Sequence, residues 1–335
     1  SNLLDSQPSR MAPLLGLLWL ATVACAGAEP LVPLLRGVPF VVDDQRDENA
    51  TTKAPTRSTP SVTAHGMGDS CYNFGMKQIT KLVSEALGTY AVCIATGDGR
   101  VKDTSNGFFM TMDDNVEVFA EKIRADPHLR DGFNCVGFSQ GNSLCRGYIQ
   151  KYNDPPVRNF LSVHGTISGV AGFPNCDPQG PMGPACQHVA RLCGDVAYTE
   201  KTQDFLFQID YFRDPFRTKT DAYRKYSQLA AWNNEGASPL NQTYKDNFAK
   251  VQRFIMIKAL QDSMVFPNEG EWWGHFADDT FTTVLTMRET QWYQQDLFGL
   301  KTADQAGKIL FNTTDGDHLQ FTNDQLHWWL TNLFV

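Results

Sequence analysis

The segment GFSQG at residues 137–141 constrains this chain more than any other feature. The apolar run 133–138 predicts a buried strand, and the pattern of residues 143–152 predicts a helix directly after it. A serine between two glycines at such a strand–turn–helix junction is typical of a nucleophile elbow, in which the serine sits on a strained turn. A plain β–α turn is the structural alternative. We favour the elbow, with Ser139 as a nucleophile.

Strands and helices alternate through most of the chain after residue 60, which is typical of a mainly parallel sheet with helices on both faces. Together with the elbow, this alternation predicts an α/β-hydrolase fold for residues 61–335. The predicted strands are 60–64, 89–96, 133–138, 159–165, 254–260 and 308–312, and the predicted helices lie near 76–87, 116–126, 143–152 and 322–334.

The strand pattern lapses between residues 170 and 250. This stretch combines helical segments with many aromatic residues, and it lies between two predicted strands. We therefore predict a helical cap inserted at about 170–250, although ordinary packing of the domain's own helices would give the same pattern. The aromatic residues are Phe205, Phe207, Tyr211, Phe212, Phe216, Tyr223, Tyr226 and Trp232.

A serine nucleophile needs a base and a group that orients this base. In α/β-hydrolases the three residues follow the chain order serine, acid, histidine. His318 lies in a glycine-containing turn after the strand 308–312, and it is the predicted base. Asp262 comes directly after the strand 254–260, and it is the predicted acid.

Other acids and histidines near these positions are weaker candidates. Glu269 and Glu271 follow the same strand as Asp262 but lie further along the chain, and Asp315 and Asp317 are expected to shape the turn that carries His318. We expect packing to explain His327, beside two tryptophans in the final helix, and His275 has no clear site. The weaker candidates are Glu269, Glu271, His275, Asp315, Asp317 and His327.

An oxyanion hole should consist of two backbone N–H groups. One belongs to the residue after the nucleophile, which is Gln140. The loop HGMGD at residues 65–69 follows an early strand, and Met67 is its predicted donor. His65 precedes Ser139 in the chain and is expected to be structural, as is the strand-end residue His164, for which contact with the substrate is the alternative.

The N-terminal region has the order of a secretory leader. An apolar stretch from Leu14 to Val23 follows Met11 and is itself followed by small residues, which predicts a signal peptide within residues 1–28. An ordinary apolar helix is the alternative. Residues 29–60 then read as an arm and linker. Three Asn-x-Ser/Thr sites fit a secretory route and predict glycosylation at Asn49, Asn241 and Asn312.

Charge and cysteine spacing exclude several classes of function. The net charge of −8 argues against binding to nucleic acid, which requires a basic face. No Cys-x-x-Cys pair and no zinc-like spacing occur, so we expect neither a metal nor a cofactor. Cys176 and Cys186 flank a Pro/Gly-rich loop that a disulfide between them could close. Seven cysteines follow the leader, so at least one thiol should be free, and the pairing of the rest stays open.

Several longer motifs make the chain resemble the lysosomal palmitoyl-protein thioesterase family of the first type, from about His65 to the C-terminus. The motifs, in chain order, are HGMGDSC, GFSQGN, SVHGTISGVAGFPNC, YFRDPFR, LNQTYKDNF, IKALQDSMV, RETQWYQQDLFGLK and DGDHLQF.

The resemblance implies the same site residues by matched position. Ser139 would be the nucleophile, Asp262 the orienting acid and His318 the base, with Met67 and Gln140 as oxyanion donors. It also implies the pair Cys176–Cys186, whereas Phe119 and Tyr152 stand where a second family disulfide would be. Phe266 replaces a second acidic residue in the family's acid loop, which favours Asp262 as the acid. These positions are read directly from the sequence.

The resemblance further implies hydrolysis of long-chain fatty-acyl thioesters, such as palmitoyl groups, on cysteines of S-acylated proteins or peptides during lysosomal degradation. The expected location is the lysosome or the exterior, with no transmembrane anchor. A lipase or carboxylesterase with the same triad is the main alternative. A silent acyl-binding protein would need a broken triad, and an acyltransferase would need an acceptor other than water.

Overall fold

The structure is a computed structural model that describes residues 59–236 and 238–335. The predicted leader at 1–28, nearly all of the arm at 29–60 and the sequon at Asn49 lie outside the described residues.

Eight strands and thirteen α-helices occur among the described residues. The strands are β1 Ser61–Ala64, β2 Ala91–Cys93, β3 Phe133–Phe138, β4 Val157–Val163, β5 Arg253–Ala259, β6 His275–Phe276, β7 Val284–Leu285 and β8 Ile309–Thr314. The α-helices are α1 Phe74–Leu87, α2 Arg100–Phe109, α3 Met112–Ala125, α4 Gly141–Lys151, α5 Gly183–Ala197, α6 Glu200–Gln203, α7 Phe207–Asp210, α8 Asp221–Tyr226, α9 Gln228–Trp232, α10 Gln242–Lys250, α11 Gln291–Gln294, α12 Leu300–Gln305 and α13 Asn323–Leu333. Two 3₁₀ helices, Asn268–Trp272 and Met287–Glu289, lie between β5 and α11.

Six strands form one parallel sheet in the order β2-β1-β3-β4-β5-β8. Every residue of β1 and β3 is buried, as expected for inner strands that are covered on both faces. The burial of β1 explains how the weakly apolar sequence SVTA can form a strand there. The parallel sheet with covering helices confirms the predicted α/β-hydrolase fold.

Successive side chains of the inner strands enter two separate cores because the side chains of a strand alternate between faces. Val136 and Phe138 of β3 belong to a core that also includes Leu326 and Trp329 of α13. Phe133 points the other way and contacts the ring of Tyr148 in α4, with 5.5 Å between the ring centroids. The helices therefore cover both faces of the sheet.

The parallel arrangement brings the carboxyl ends of the strands to one edge of the sheet, where α/β proteins bind their ligands. Ser139 follows β3, His164 follows β4, Asp262 follows β5 and His318 follows β8. These residues are up to 179 positions apart in sequence, but they occupy neighbouring strand ends.

Two elements differ from the sequence-based expectation. The strand predicted over 89–96 is limited to β2, Ala91–Cys93, and its residues are only partly buried because β2 lies at the edge of the sheet. Helix α2, Arg100–Phe109, was not predicted, since its sequence RVKDTSNGFF carries a glycine and few apolar residues at helical spacing.

Residues between β4 and β5 form six helices, α5 to α10, and no strand of the main sheet. This is the stretch for which we predicted a cap, and Gln208 and Tyr211 within it contact Gln140 of the elbow. None of the helices in the described part of the chain is long and apolar enough to cross a membrane.

Three disulfides connect the described residues, and Cys193 is a buried free thiol. Cys135–Cys145 joins β3 to α4 on either side of the elbow, and Cys71–Cys93 joins the segment after β1 to the end of β2. Cys176 and Cys186, whose pairing the resemblance implies, form the third disulfide. The sequence alone had left the first two pairings open.

Candidate active site

Ser139 occupies a tight turn between β3 and α4. Its φ of 52° lies in the left-handed region, which a side chain such as serine rarely adopts. The glycines on either side are required by close approach. A Cβ at Gly137 would lie 2.3 Å from Oδ1 of Asn142, and a Cβ at Gly141 would lie 2.3 Å from the carbonyl oxygen of Ala64. The turn therefore holds Ser139 at the tip of β3, as a nucleophile elbow requires.

His318 connects Ser139 to Asp262. Its Nε2 lies 2.8 Å from Oγ of Ser139, and its Nδ1 lies 2.6 Å from Oδ2 of Asp262. Asp262 is an ionised acceptor here, so Nδ1 carries the proton and Nε2 is left free to accept one from Ser139. The three residues predicted from separate parts of the chain thus form one continuous hydrogen-bonded chain.

The Asp262 carboxylate is buried and accepts several hydrogen bonds. Its Oδ1 accepts from the backbone N–H groups of Met264 and Val265, each at 2.7 Å, and its Oδ2 faces His318. Burial alone would raise the pKa of Asp262, but the hydrogen bonds, led by that from His318, lower it below its ordinary value. Asp262 is therefore held as an anion.

Asp317 ties the loop of His318 to the loop of Asp262. Its carboxylate accepts hydrogen bonds from the backbone N–H and the hydroxyl of Ser263, at 2.7 and 2.8 Å, and from the backbone N–H of His318 at 2.6 Å. This matches the expectation that Asp317 shapes the turn. The acid and the base are thus held together by backbone as well as by side chains.

His164 lies beneath His318 and is completely buried. Its Nδ1 accepts the backbone N–H of Leu319 at 2.8 Å, so the ring proton is on Nε2, which donates to Oγ1 of Thr314 at 3.0 Å. Burial, and then the charge of His318, lower the pKa of His164 to about 3. His164 is a neutral support, as the structural expectation held.

The loop at residues 65–69 passes directly over Ser139. A Cβ added at Gly66 would lie 3.1 Å from Cβ of Ser139 and 3.7 Å from its Oγ. Met67, the predicted oxyanion donor, is the next residue along the chain. The close approach of Gly66 therefore places the loop beside the hydroxyl of Ser139.

Asp103 of α2 holds this loop in place. Its buried carboxylate accepts hydrogen bonds from the hydroxyl of Ser70 at 2.8 Å and the N–H of Cys71 at 2.9 Å, and it lies 3.3 Å from Nε2 of His65. It also accepts the backbone N–H of Thr96 at 2.8 Å, after β2. Burial would raise the pKa of Asp103, but the hydrogen bond and charge of His65 lower it.

The side chain of Gln140 is fixed by residues outside the elbow. Its Nε2 donates to the carbonyl of Gly107 at 2.8 Å, and its Oε1 accepts from Nε2 of Gln208 at 2.7 Å and from the hydroxyl of Tyr211 at 3.1 Å. Gln140 directly precedes α4, and its backbone N–H is the other predicted oxyanion donor. These contacts link Gln140 to α2 and to the inserted helices.

The remaining candidates lie elsewhere. His275 is buried beside Arg213. His327 is exposed on α13, so the expectation that packing explains His327 is wrong. Glu269 pairs with Lys258, with 2.7 Å between Oε1 and Nζ. Glu271 is completely buried close to Asp262. Of the other sequons, Asn241 is exposed and Asn312 is partly buried in β8.

Two groups of side chains among the described residues have the composition of a metal site. One consists of His65, Cys71 and Asp103, but the Cys71 sulfur belongs to a disulfide. The other consists of His164, Asp262 and His318. The ring nitrogens of both histidines take part in the hydrogen bonds described above. We assign no metal to either group.

The sequence analysis did not identify Asp103, and it did not predict a supporting role for His164 or Glu271. Asp103 lies in a polar helix whose pattern gave no signal. Its role depends on donors from two other loops, and no local pattern in the sequence reveals such an arrangement. For Glu271, the only signal was an acid directly before two tryptophans, which indicates burial.

Known proteins are similar to this chain over most of its length. A family model described as palmitoyl protein thioesterase matches residues 60–318, which is most of the chain and includes all three residues of the hydrogen-bonded chain. Among solved structures, an esterase from Pyrobaculum calidifontis gives a TM-score of 0.40 at 12% identity, covering 83% of this chain and 77% of that chain. Similarity this low carries no information about activity.

Curated relatives are similar over most of their own length. Palmitoyl-protein thioesterase 1 of Caenorhabditis elegans is 37% identical over 274 residues, which cover 81% of this chain and 90% of that protein. Palmitoyl-protein thioesterase 3 of Dictyostelium discoideum is 30% identical over 260 residues, covering 77% and 84%. Human lysosomal thioesterase PPT2 is 27% identical, covering 77% and 81%. With the parallel sheet, the elbow and these matches in agreement, the chain belongs to the palmitoyl protein thioesterase family.

Proposed function

We propose that this chain is a serine thioesterase that hydrolyses long-chain fatty-acyl thioesters, such as palmitoyl groups, on cysteines of S-acylated proteins or peptides. Ser139 is the nucleophile, His318 the base and Asp262 the orienting acid. The observation that carries the proposal is the position of His318, whose two ring nitrogens lie 2.8 Å from Ser139 and 2.6 Å from Asp262. Membership of the family supports the thioester as substrate.

In the first step, Nε2 of His318 takes the proton of the Ser139 hydroxyl while Oγ attacks the thioester carbonyl carbon. Asp262 keeps the ring in the required tautomer and stabilises the imidazolium. The tetrahedral intermediate collapses as the carbon–sulfur bond breaks, and the cysteine leaves as a thiolate that takes the proton from Nε2 of His318, which restores the neutral base. Water, activated by His318, then cleaves the acyl–Ser139 ester and releases the fatty acid.

The negative oxygen of the intermediate needs donors that are in place before the reaction. The backbone N–H groups of Met67 and Gln140 fill this role in the proposal. The proximity of Gly66 to Ser139 supports Met67, and the fixed side chain of Gln140 supports Gln140. A thiolate is a good leaving group, so oxyanion stabilisation should matter more than protonation of the leaving sulfur.

A palmitoyl chain also needs an apolar surface close to Ser139. The inserted helices α5 to α10 are rich in aromatic residues, and they reach the elbow through Gln208 and Tyr211. We therefore propose that this insertion is the cap that forms part of the acyl-binding wall.

Relatives named as lysosomal thioesterases support a lysosomal location reached through the secretory pathway, with secretion as the other outcome. Three disulfides among the described residues are also typical of an oxidising compartment. Glycosylation at Asn241 is compatible with its exposure on the surface.

A fluorophosphonate probe followed by mapping of the labelled peptide tests the nucleophile, which should be Ser139. Kinetics on a palmitoyl thioester peptide and on its matched oxygen ester test the substrate class. We expect a clear preference for the thioester, and we expect S139A to lose at least about 10⁴-fold of the turnover. Labelling at another residue would refute the site, whereas faster cleavage of the oxygen ester would favour a carboxylesterase or lipase.

A further inference from the structure

Glu271 is a completely buried carboxyl group that the proposed reaction does not use. It lies in the 3₁₀ helix Asn268–Trp272, which follows Asp262 in the chain. Its Oε2 accepts the backbone N–H of Ala259, the last residue of β5, at 2.8 Å. Glu271 is thus fixed to the end of the strand that carries Asp262.

The other oxygen of Glu271 has no hydrogen-bond donor. Its Oε1 is buried, and no donor is bonded to it among the described residues. The side chain that interacts with the carboxyl group of Glu271 is that of Asp262, which has only acceptor oxygens when ionised. Two neighbouring buried carboxylates repel each other strongly, whereas one proton between them gives a hydrogen bond.

Within the described part of the chain, no unpaired cation acts on the two carboxyl groups to compensate a second negative charge. The charge of Lys258 acts on Glu271, but its Nζ bonds to Glu269 at 2.7 Å and lies 4.1 Å above the ring of Trp272. Three further titratable groups lie around Asp262. His318 already pairs with it, His164 is neutral, and Asp317 is a carboxyl group that accepts hydrogen bonds from Ser263 and His318. The proton must therefore be held by one of the two carboxyl groups.

The surroundings of Asp262 and Glu271 decide which of the two carboxyl groups holds the proton. Asp262 accepts hydrogen bonds from His318 and from two backbone N–H groups, which favour its anion. Glu271 accepts one. Burial, followed by the charge of Asp262, raises the pKa of Glu271 well above its ordinary value, and the charge of Lys258 opposes this only weakly. Asp262 shifts in the opposite direction.

We propose that Glu271 is protonated in the folded protein and donates a hydrogen bond to Asp262, which makes it a positioning residue for the triad. The inference deepens the proposed function, since it assigns a support to the acid of the same site. Asp262 then lies between two donors, with His318 on one side and Glu271 on the other. Loss of the Glu271 proton would place a second negative charge behind Asp262 and disturb this alignment.

The proposal predicts a pH dependence of stability that does not require activity. Unfolded Glu271 ionises near 4.5, whereas in the folded state it keeps its proton to higher pH. Above pH 4.5 Glu271 therefore binds its proton in the folded state but not in the unfolded state, and its contribution to the free energy of unfolding falls as pH rises. Glu271→Gln keeps a donor and an acceptor but cannot ionise, so it escapes this loss.

Thermal unfolding of wild type and E271Q between pH 4 and pH 7 tests this. We expect equal Tm values near pH 4 and an advantage for E271Q that grows by about 2–4 °C per pH unit above it. E269Q is the matched control on the same helix. It should lower Tm at neutral pH, because it breaks the pair with buried Lys258. A flat or negative E271Q difference would show that Glu271 is ionised and would overturn the proposal.

Infrared spectroscopy offers a second measurement of the proton. Burial also raises the pKa of Asp210 to about 9, so Glu271 is not the only protonated carboxyl group expected at pH 6. The difference spectrum of wild type minus E271Q at pH 6 should therefore show one carbonyl stretch of a protonated carboxylic acid that the variant lacks. A difference spectrum without this band would contradict the assignment to Glu271. Both measurements are independent of turnover, so they can succeed even if wild type proves inactive on thioesters, an outcome that would refute the proposed function alone.

Kinetics then separate positioning from simple packing. E271Q should retain kcat within a few-fold of wild type at acidic pH, and it should lose less activity than wild type as pH rises. Glu271→Leu fills a similar volume without a donor, and we expect its kcat to fall about 10-fold or more with little change in KM. Equal kcat values and equal pH profiles for wild type, E271Q and E271L would rule out a positioning role.

Discussion

The backbone N–H of Leu319 donates a hydrogen bond of 2.8 Å to Nδ1 of His164. His164 follows β4 and Leu319 follows β8, so this bond spans the end of β5, which lies between them in the sheet. Because Leu319 is the neighbour of His318, the bond fixes the backbone that carries the proposed base. The hydrogen bond from Nε2 of His164 to Thr314 holds the start of the same loop.

We first predict that the acceptor at Nδ1 of His164 matters for turnover. H164A removes it and leaves a cavity beneath His318, and we expect kcat to fall about 10- to 100-fold, as small displacements of catalytic groups can cause. H164N places an amide oxygen close to the position of Nδ1 and should retain most of kcat. Steady-state kinetics of the two variants check this. An unchanged kcat in H164A would contradict it.

His164 also predicts a loss of stability in acid. In the unfolded chain it takes up a proton near pH 6.5, whereas burial lowers its pKa in the folded protein to about 3. Between these values His164 binds a proton in the unfolded state but not in the folded state, so its contribution to the free energy of unfolding falls as pH falls. The loss between pH 6.5 and 5 is about 2 kcal/mol. Urea unfolding of H164N should show a shallower decline, and parallel curves for the two proteins would contradict the assignment.

Asp262 should be far more important for turnover than the other acids near His318. D262N would favour the wrong tautomer of His318, and we expect kcat to fall by about 10⁴-fold. D315N is the matched control because Asp315 lies in the same loop as His318 but is exposed. It should change kcat less than about 2-fold. A loss of similar size in both variants would mean that the loop, rather than the acid at 262, is responsible.

The residues of this hydrogen-bonded chain were predictable because each follows a strand whose apolar pattern is plain in the sequence. In a parallel sheet such strand ends meet at one edge, so a correct set of strands already brings Ser139, Asp262 and His318 together. The supports were harder to predict. The hydrogen bonds of His164 span three strand ends, whereas Glu271 bonds to the end of β5, and both roles depend on distances that sequence patterns do not contain.

The role of Asp103 also could not be predicted from the sequence. Asp103 lies in α2, a helix that the sequence pattern did not predict, and its carboxylate collects donors from the loops after β1 and β2. The disulfide Cys71–Cys93 joins the loop after β1 to the end of β2, and the sequence had left this pairing open. Contacts between loops depend on the three-dimensional path of the chain, whereas strands and helices depend mainly on local periodicity.

Asp103 leads to a prediction about the proposed oxyanion hole. D103N weakens the anchor of Ser70 and Cys71, so the loop that contains Met67 should move away from Ser139. Donors in that loop act on the transition state, so we expect kcat to fall about 10- to 100-fold with little change in KM. D98N is the control because Asp98 is fully exposed in a neighbouring loop. A change confined to KM would show that Asp103 affects binding of the substrate instead.

The disulfide Cys135–Cys145 gives a prediction about stability. It joins β3 to α4, both partners are completely buried, and the elbow with Ser139 lies between them. The double variant C135A/C145A opens a loop of ten residues, which chain entropy makes worth about 3 kcal/mol. C193A is the matched control, since Cys193 is also buried but unpaired. Urea unfolding without reductant should show a large loss of stability for the double variant and a smaller one for C193A.

Because the elbow is held between two linked elements, we also expect the double variant to lose turnover at temperatures where it is still folded. Equal losses of stability in the two variants would mean that core packing, and not the crosslink, accounts for the effect.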